Sequence, residues 1–355
     1  MNTTASSTAT GTETLQLEVL ASRSLASQPA SWWQSVLGVV GFEEPPHLEK
    51  LPNLARTRIP VTASMTPALG ARDLCEVWRV TAPQMLFSGG ESAQGRVRYR
   101  WSKDLLFGSV AITEQDTDAR SEAEALLRAT EAAYQEIFDV LNETEHRHLI
   151  RIWNYLPRIN AHAGGDERYR HFNSARQMAF RNSGRATMGT VPAASALGSP
   201  AGSPISIYFL AARGAPRMIE NPRQTSAYHY PRKFGRHSPI FSRACLWGES
   251  GSGTLFVSGT ASIVGHETIH PGDVVAQTRE TMVNITALLE QANRIVGAPR
   301  YSPEGLNLKV YVRNPGDLPD IQATLSQLLR RATGIVYLQA DVCREDLLVE
   351  IEAVG

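Results

Sequence analysis

Cysteine is scarce in this chain: Cys75, Cys245 and Cys343 are the only three in 355 residues, far apart and without a C-x-x-C spacing. An odd number at such separations argues against a disulfide framework or a structural zinc site and suits a reducing compartment. Net charge is absent as well, with 35 basic side chains set against 35 acidic ones. That balance removes the electrostatic footprint of a nucleic-acid or anionic-membrane binder. No apolar run approaches the length of a membrane span. The opening residues, Met1 to Thr12, are small and polar and lack the basic start and apolar stretch of a secretion signal. These absences predict a cytoplasmic protein whose residues 1–15 form a disordered tail. There is no G-x-G-x-x-G or Walker loop for a nucleotide, and no Ser-x-x-Lys or G-x-S-x-G nucleophile. His229 and His237 have no metal-ligand spacing, so no metal is expected.

What remains is an ordinary globular composition, 42% hydrophobic and 20% charged, with length for two domains. Internal similarity organises it. Asp104–Ile112 parallels Thr254–Ile263, each read as a strand turning at a Gly/Ser pair. An amphipathic helix follows in each half. Leu126, Leu127, Tyr134, Ile137, Phe138 and Leu141 recur at helical steps in one, and Val275, Met282, Ile285, Leu289 and Ala292 in the other. Asp273, just after Pro271-Gly272, is placed to cap the second. Each half then shows a strand (148–155 and 306–312), a second helix (about 167–180 and 320–331) and closing strands (205–211 and 347–353).

This order predicts an α+β fold of two tandem units, each a mixed sheet with two helices packed on one face. The boundaries read from the sequence are 16–222 for the first unit, with an extra front segment over about 15–100, and 223–355 for the second. A Gly/Pro/Ala/Ser-rich stretch, Gly189–Pro204, is expected to be a mobile loop. The stretch from Asn221 to Ala244 is expected to join the halves.

The chain's last strand carries its most informative chemistry. Alternation puts Val349 and Ile351 on one face and Glu350 and Glu352 on the other. Two acids there suit a solvated strand face equally well. Held in the crevice between two units, however, such a carboxyl would keep its proton and serve as a general acid.

The second half resembles the Rid (YjgF) family in the order of Ser258-Gly259-Thr260, the helix 274–292, Val310-Tyr311-Val312 and Val349-Glu350-Ile351-Glu352. Over about residues 85–355 the chain looks more specifically like the chorismatases, a tandem elaboration of that fold. Tyr169–Arg176, Tyr230–Arg243 and Cys343–Glu352 carry this resemblance. One departure separates the chain from simple Rid enzymes. Where they hold a carboxylate-binding arginine, the first half has Arg185 and the second has Ile335.

The resemblance implies a cofactor-free enzyme acting on chorismate, a dicarboxylate with an acid-sensitive enol ether. Glu350 would protonate the enolpyruvyl methylene. Tyr169, Arg176, Tyr230 and Arg243 would bind the substrate, since a planar guanidinium donates paired hydrogen bonds to a carboxylate. Tyr169 and Arg176 lie two helical turns apart, hence on one face, although core packing of Tyr169 and a solvated Arg176 fit the same spacing. Between Tyr228 and Arg243 stand three arginines and a lysine, a density that suits an anion or a solvated basic loop. Glu352 would raise the pKa of its neighbour or serve structure alone.

Cys343, with Gly259 and Ala261, would set the product. Cysteine resembles the aromatising branch, which yields 3-hydroxybenzoate and pyruvate; a buried structural thiol is the plainer alternative. Hydrolysis to a dihydroxycyclohexadiene acid, mixed 3-/4-hydroxybenzoate formation and non-catalytic binding of a small anion are the rival readings. Monomer and trimer both suit a duplicated Rid-like chain.

Overall fold

The computed structural model describes residues 13–46, 59–70, 73–82, 86–249, 253–330 and 334–355. Residues 1–12 of the expected tail lie outside the described residues. Positions 14 and 15 belong to a strand, which corrects the tail's boundary.

The front segment forms a sheet of its own. It comprises β1 (Thr14–Ala21), a short helix α1 (Ala30–Gln34), β2 (Val36–Gly41), β3 (Val61–Ala63) and β4 (Leu74–Thr81). The first repeated unit follows with β5 (Ser88–Glu91), β6 (Val97–Trp101), β7 (Leu105–Ile112), α2 (Glu122–Glu143) and β8 (His148–Pro157). A small hairpin, β9 (His162–Ala163) and β10 (Asp166–Glu167), leads into α3 (Arg168–Asn182), β11 (Ala193–Ser199) and β12 (Ile205–Ala212). The second unit has β13 (Arg217–Ile219), β14 (Ala244–Trp247), β15 (Thr254–Thr260) and a hairpin of β16 (Ile263–Val264) and β17 (Glu267–Thr268). It continues with α4 (Val274–Val296), β18 (Asn307–Val312), α5 (Leu318–Leu328), β19 (Gly334–Gln339) and β20 (Val349–Val354).

The two units have the same topology. The strand order is β11-β8-β12-β7-β6-β5 in one and β19-β18-β20-β15-β14-β13 in the other. In each, the parallel pair found among the described residues joins the strands that flank the second helix, β8 with β11 and β18 with β19. Because β13 pairs with β14, the second sheet begins before position 223. The stretch expected to join the halves is therefore an insertion between the first two strands of the second unit. In the first unit the same connection is the short turn Ser92–Arg96.

The front sheet repeats part of this plan. Its order β1-β4-β2-β3, with β2 parallel to β3, matches β15-β20-β18-β19. The short α1 stands between β1 and β2, where α4 stands between β15 and β18.

Helix periodicity places the layers. Leu126, Tyr134, Ile137, Phe138 and Leu141 of α2 pack on Ile152, Leu156, Ile207 and Phe209 of the first sheet. Ile285, Leu288, Leu289 and Ala292 of α4 cover Val257, Leu308, Val310 and Ile351 of the second. The opposite sheet faces meet in a shared core that includes Trp153, Tyr208 and Leu210 of the first unit and Phe256, Tyr311 and Leu338 of the second, with Leu37, Val40, Trp78 and Val80 from the front sheet. Burial of each such side chain contributes roughly 1.5–3 kcal/mol. Asp273 caps α4 as expected, accepting a hydrogen bond from the Ala276 amide at 2.9 Å.

Two local expectations change. β7 runs straight through Gly108-Ser109, because the glycine leaves room for the Phe209 ring that an added Cβ would overlap. Within the stretch expected to be a mobile loop, Ala193–Ser199 is the strand β11. Its small side chains let it lie at the seam between units: the Ala194 amide donates to Ser258 Oγ at 2.9 Å and the Gly198 amide to the Asp341 carbonyl at 2.7 Å. All three cysteines are free. Among the described residues no helix is long and apolar enough to cross a membrane, and no group of His, Cys, Asp and Glu is placed to hold a metal.

Candidate active site

A cavity of about 430 Å³ opens at the seam between the repeated units. The first unit lines one wall with His162, Glu167, Tyr169 and Arg170. The second supplies Tyr230, Phe234 and Arg243 from its insertion, Gly259 and Ala261 from the end of β15, and Cys343, Arg344 and Glu350 from β20 and the loop before it.

Glu350 is the floor of this cavity and is only 4% exposed. Its position depends on two features of the neighbouring strand. A bulge lets Val257–Thr260 of β15 face Ala353–Ile351 of β20 with one extra residue, which twists the strand locally. Gly259, inside that bulge, has no Cβ; one added there would overlap Glu350 Oε1 and stand 3.0 Å from Ser195 Oγ. Gly259 therefore makes room for the acid itself.

The two acids of β20 have opposite surroundings. Glu352 Oε2 accepts from Arg151 Nη2 and Ser195 Oγ, each at 2.7 Å. Its Oε1 accepts from Trp153 Nε1 at 2.7 Å and lies 2.9 Å from Lys309 Nζ. Although burial opposes ionisation, Lys309 and Arg151 hold this carboxyl below the ordinary range. Among the described residues no hydrogen bond reaches the Glu350 carboxyl. Burial, and then the negative charge of Glu352, push its pKa up to about 8 against the pull of Arg151, Arg243 and Arg313. Two neighbouring carboxyls held apart in this way form one stable base and one proton donor near neutral pH. Cys343, pushed up to about 12 by burial and by Glu350, stays a neutral thiol.

Two guanidinium groups in the cavity wall share one aromatic support. Arg243 lies 5.6 Å from the Tyr230 ring centroid and 5.1 Å from that of Phe241. Its Nη2 donates to the Tyr230 hydroxyl at 2.8 Å and the Thr225 carbonyl at 2.7 Å. Arg344 lies 5.2 Å from the same Tyr230 ring and 4.1 Å from Phe234. Its Nη1 donates to the His266 carbonyl at 2.9 Å, while Nη2 is buried without a partner. A buried N–H left unpaired costs about 1–3 kcal/mol, which an arriving carboxylate would offset. Below them Arg313 fixes the loop that carries Cys343 and Arg344, donating to the carbonyls of Val342, Arg344 and Leu347.

The structure gathers Tyr169, Tyr230, Arg243, Gly259, Ala261, Cys343 and Glu350 around one cavity. It does not bring Arg176 there. That side chain is 2% exposed, lies over the rings of Tyr134, Phe172 and Phe180, and donates from Nη2 to the Ile240 carbonyl at 2.5 Å. The helical spacing from Tyr169 holds, but an aromatic pocket draws Arg176 behind the wall, where it braces the insertion beside Phe241. Of the basic residues between Tyr228 and Arg243, only Arg243 lines the cavity; Arg232, Lys233 and Arg236 are exposed.

Sequence reasoning missed Arg344, Ser195 and Arg151. Arg344 adjoins Cys343 in a block already singled out. Ser195 lay in the stretch read as a loop, and Arg151 in an apolar strand with no pattern of its own.

Two tandem units of one topology, each a mixed sheet with two helices, with a buried acid at the seam between them, define a duplicated α+β protein with its site between the repeats. Residues 76–211 match the family model described as chorismatase FkbO/Hyg5-like, N-terminal. A Streptomyces hygroscopicus protein named 3-hydroxybenzoate synthase is 41% identical over 64% of this chain and 68% of its own length. A Streptomyces rapamycinicus protein named chorismatase is 36% identical over 83% of this chain and 86% of its own. A crystal structure of a chorismatase, 29% identical, superposes with a TM-score of 0.78 over 98% of this chain and 99% of that one. The chain belongs to the chorismatase family.

Proposed function

We propose that this protein converts chorismate to 3-hydroxybenzoate and pyruvate, with Glu350 as the general acid. The observation that carries the reading is a buried, proton-retaining carboxyl facing two guanidinium groups with spare hydrogen-bonding capacity across one cavity. The substrate has two carboxylates for those cations and an enol ether for that proton.

In this reading Glu350 protonates the terminal methylene carbon of the enolpyruvyl group, leaving an oxocarbenium-like centre. The side chain then departs as pyruvate when the bond from the ring carbon to the ether oxygen breaks. The neighbouring ring hydroxyl closes onto that carbon as an arene oxide, its proton restoring Glu350. The oxygen's bond to its original ring carbon then breaks, and the carbon that it joined loses its hydrogen as the ring aromatises while the oxygen takes up a proton as the 3-hydroxyl. The two products contain the atoms of chorismate and no others, so water is not consumed. The neutral Cys343 and the small Ala261 line the wall without a hydroxyl to hold a competing water. The relative named 3-hydroxybenzoate synthase supports this outcome over hydrolysis.

Incubation of the purified protein with chorismate should release pyruvate and 3-hydroxybenzoate in equal amounts, read by chromatography and mass. A product heavier by one water would replace this reading with hydrolysis; tight binding without product would leave a binding protein. The front sheet covers the Lys309, Val336 and Glu352 side of the second sheet within the same chain, so we read the working form as a monomer, to be checked by light scattering.

A further inference from the structure

The front sheet reaches the active site from behind. Glu76 on β4 is 3% exposed, and its Oε1 lies 2.8 Å from Lys309 Nζ on β18. Lys309 spans the gap to Glu352 at 2.9 Å and also donates to the Tyr208 hydroxyl at 3.1 Å. Glu352 in turn holds Arg151 and Ser195, and Ser195 Oγ accepts from the Gly259 amide at 3.0 Å. The line therefore runs from the front sheet to the glycine beneath Glu350.

Glu76, Lys309, Glu352 and Arg151 are two carboxyls and two cations, all nearly sealed from solvent. Burial pushes the Glu76 carboxyl up against the pull of Lys309, and with Glu76 ionised the charges balance. A third carboxylate at Glu350 would be the odd member, and an uncompensated buried charge costs several kcal/mol. Of the other groups facing Glu350, Arg243 adds a positive charge whose pull is outweighed by burial and by Glu352. Arg313 from beyond β18 is engaged by Asp341 at 2.8 Å, and Cys343 and Tyr169 stay neutral. Arg243 beside β14 faces the ligand space.

We propose that the front sheet is a working part of the active site: Lys309 keeps Glu352 as the charged member of the Glu350/Glu352 pair, and Glu76, by offsetting the charge of Lys309, leaves the transferable proton on Glu350. Glu76 and Lys309 are positioning residues and touch no substrate. The inference rests on Glu350 as proton donor, but its test does not require turnover.

The test is a carboxyl titration by NMR of protein labelled with ¹³C-glutamate, the Glu350 signal being assigned by its loss in Glu350→Gln. Removing the negative charge of Glu352 by Glu352→Gln should lower the Glu350 midpoint by roughly one pH unit. Glu76→Gln should move it in the same direction by about half a unit, since Lys309 then gains an excess of charge. Trp78→Phe, on the same strand but uncharged, should leave it in place. The paired change Glu76→Gln with Lys309→Met removes one charge of each sign and should return the midpoint to that of the parent. It also serves if the single Glu76 variant does not fold. A Glu350 midpoint unmoved by Glu76→Gln, or displaced by the paired change as far as by the single one, would overturn the proposal. Shifts as stated in a protein that leaves chorismate intact would sink the functional reading while sparing this one; normal turnover with no shift would do the reverse.

Discussion

The second unit meets a neighbouring sheet on two sides, and the two seams have opposite characters. Against the first unit it leaves a cavity of about 430 Å³. Against the front sheet, Leu17, Glu76 and Trp78 close on Lys309, Val336 and Glu352 around a void of only about 10 Å³, room for a single water at most. The closed seam satisfies its charges internally, whereas the open seam holds arginines with unpaired N–H groups and a carboxyl without a hydrogen bond. A seam whose charged groups already have partners holds sheets together. One whose groups lack them is built for a ligand.

That contrast predicts that substitutions at the open seam reduce activity more than stability. Glu350→Gln should lower kcat on chorismate by about 10³-fold, the range for loss of a general acid, as read by pyruvate release. Gly259→Ala should cost about 10²-fold, because the added methyl displaces the acid from its place and misalignment on that scale has such an effect. Arg243→Ala and Arg344→Ala should each raise KM about 10- to 100-fold, as expected for lost charged hydrogen bonds, with kcat less affected. Similar KM values for Arg344→Ala and the parent would remove Arg344 from the site.

The closed seam should behave in the opposite sense. Lys309→Met leaves two buried carboxylates short of a cation and should destabilise the fold by about 3–5 kcal/mol in denaturant melts. Glu350 shows how the two seams trade. Its pKa is about 8 when folded against an ordinary 4.5, so the folded state keeps a proton that the unfolded chain releases. Stability from this group is undiminished below about pH 4.5, falls as pH rises and reaches its full loss above about pH 8. Glu350→Gln should therefore be more stable than the parent by on the order of 3 kcal/mol at pH 7. That amounts to roughly 4 °C in Tm for a chain of this length, and the gain should vanish near pH 4. The smallest effect is expected from Cys343→Ser, whose hydroxyl would hold a water and divert a minor share of product to the dihydrodiol acid, detectable by mass.

Much of this was legible in the chain because local pattern and local structure coincide. Leu126, Tyr134, Ile137 and Phe138 mark one face of α2, and the alternation of β20 places both glutamates on the face away from α4. Asp273 announces the start of its helix. Other features were hidden for equally physical reasons. Ala193–Ser199 has the composition of a loop, yet small residues are what a strand needs when two sheets approach it closely. Asn221–Ala244 reads as a linker because nothing local reveals that Arg217–Ile219 pairs with Ala244–Leu246. Arg176 carries the same charge as Arg243. Only packing sends one into an aromatic pocket and the other into the cavity wall.

By itself the sequence determined the repeated order of strands and helices, the acid pair on the last strand and the family resemblance, since each depends on spacing along one chain. The tertiary structure decided which glutamate keeps its proton, which arginines face the cavity and what the front segment does. Those outcomes depend on charges and surfaces brought together from distant parts of the chain. Burial and long-range neighbours, not identity alone, fix the chemistry of an ionisable side chain.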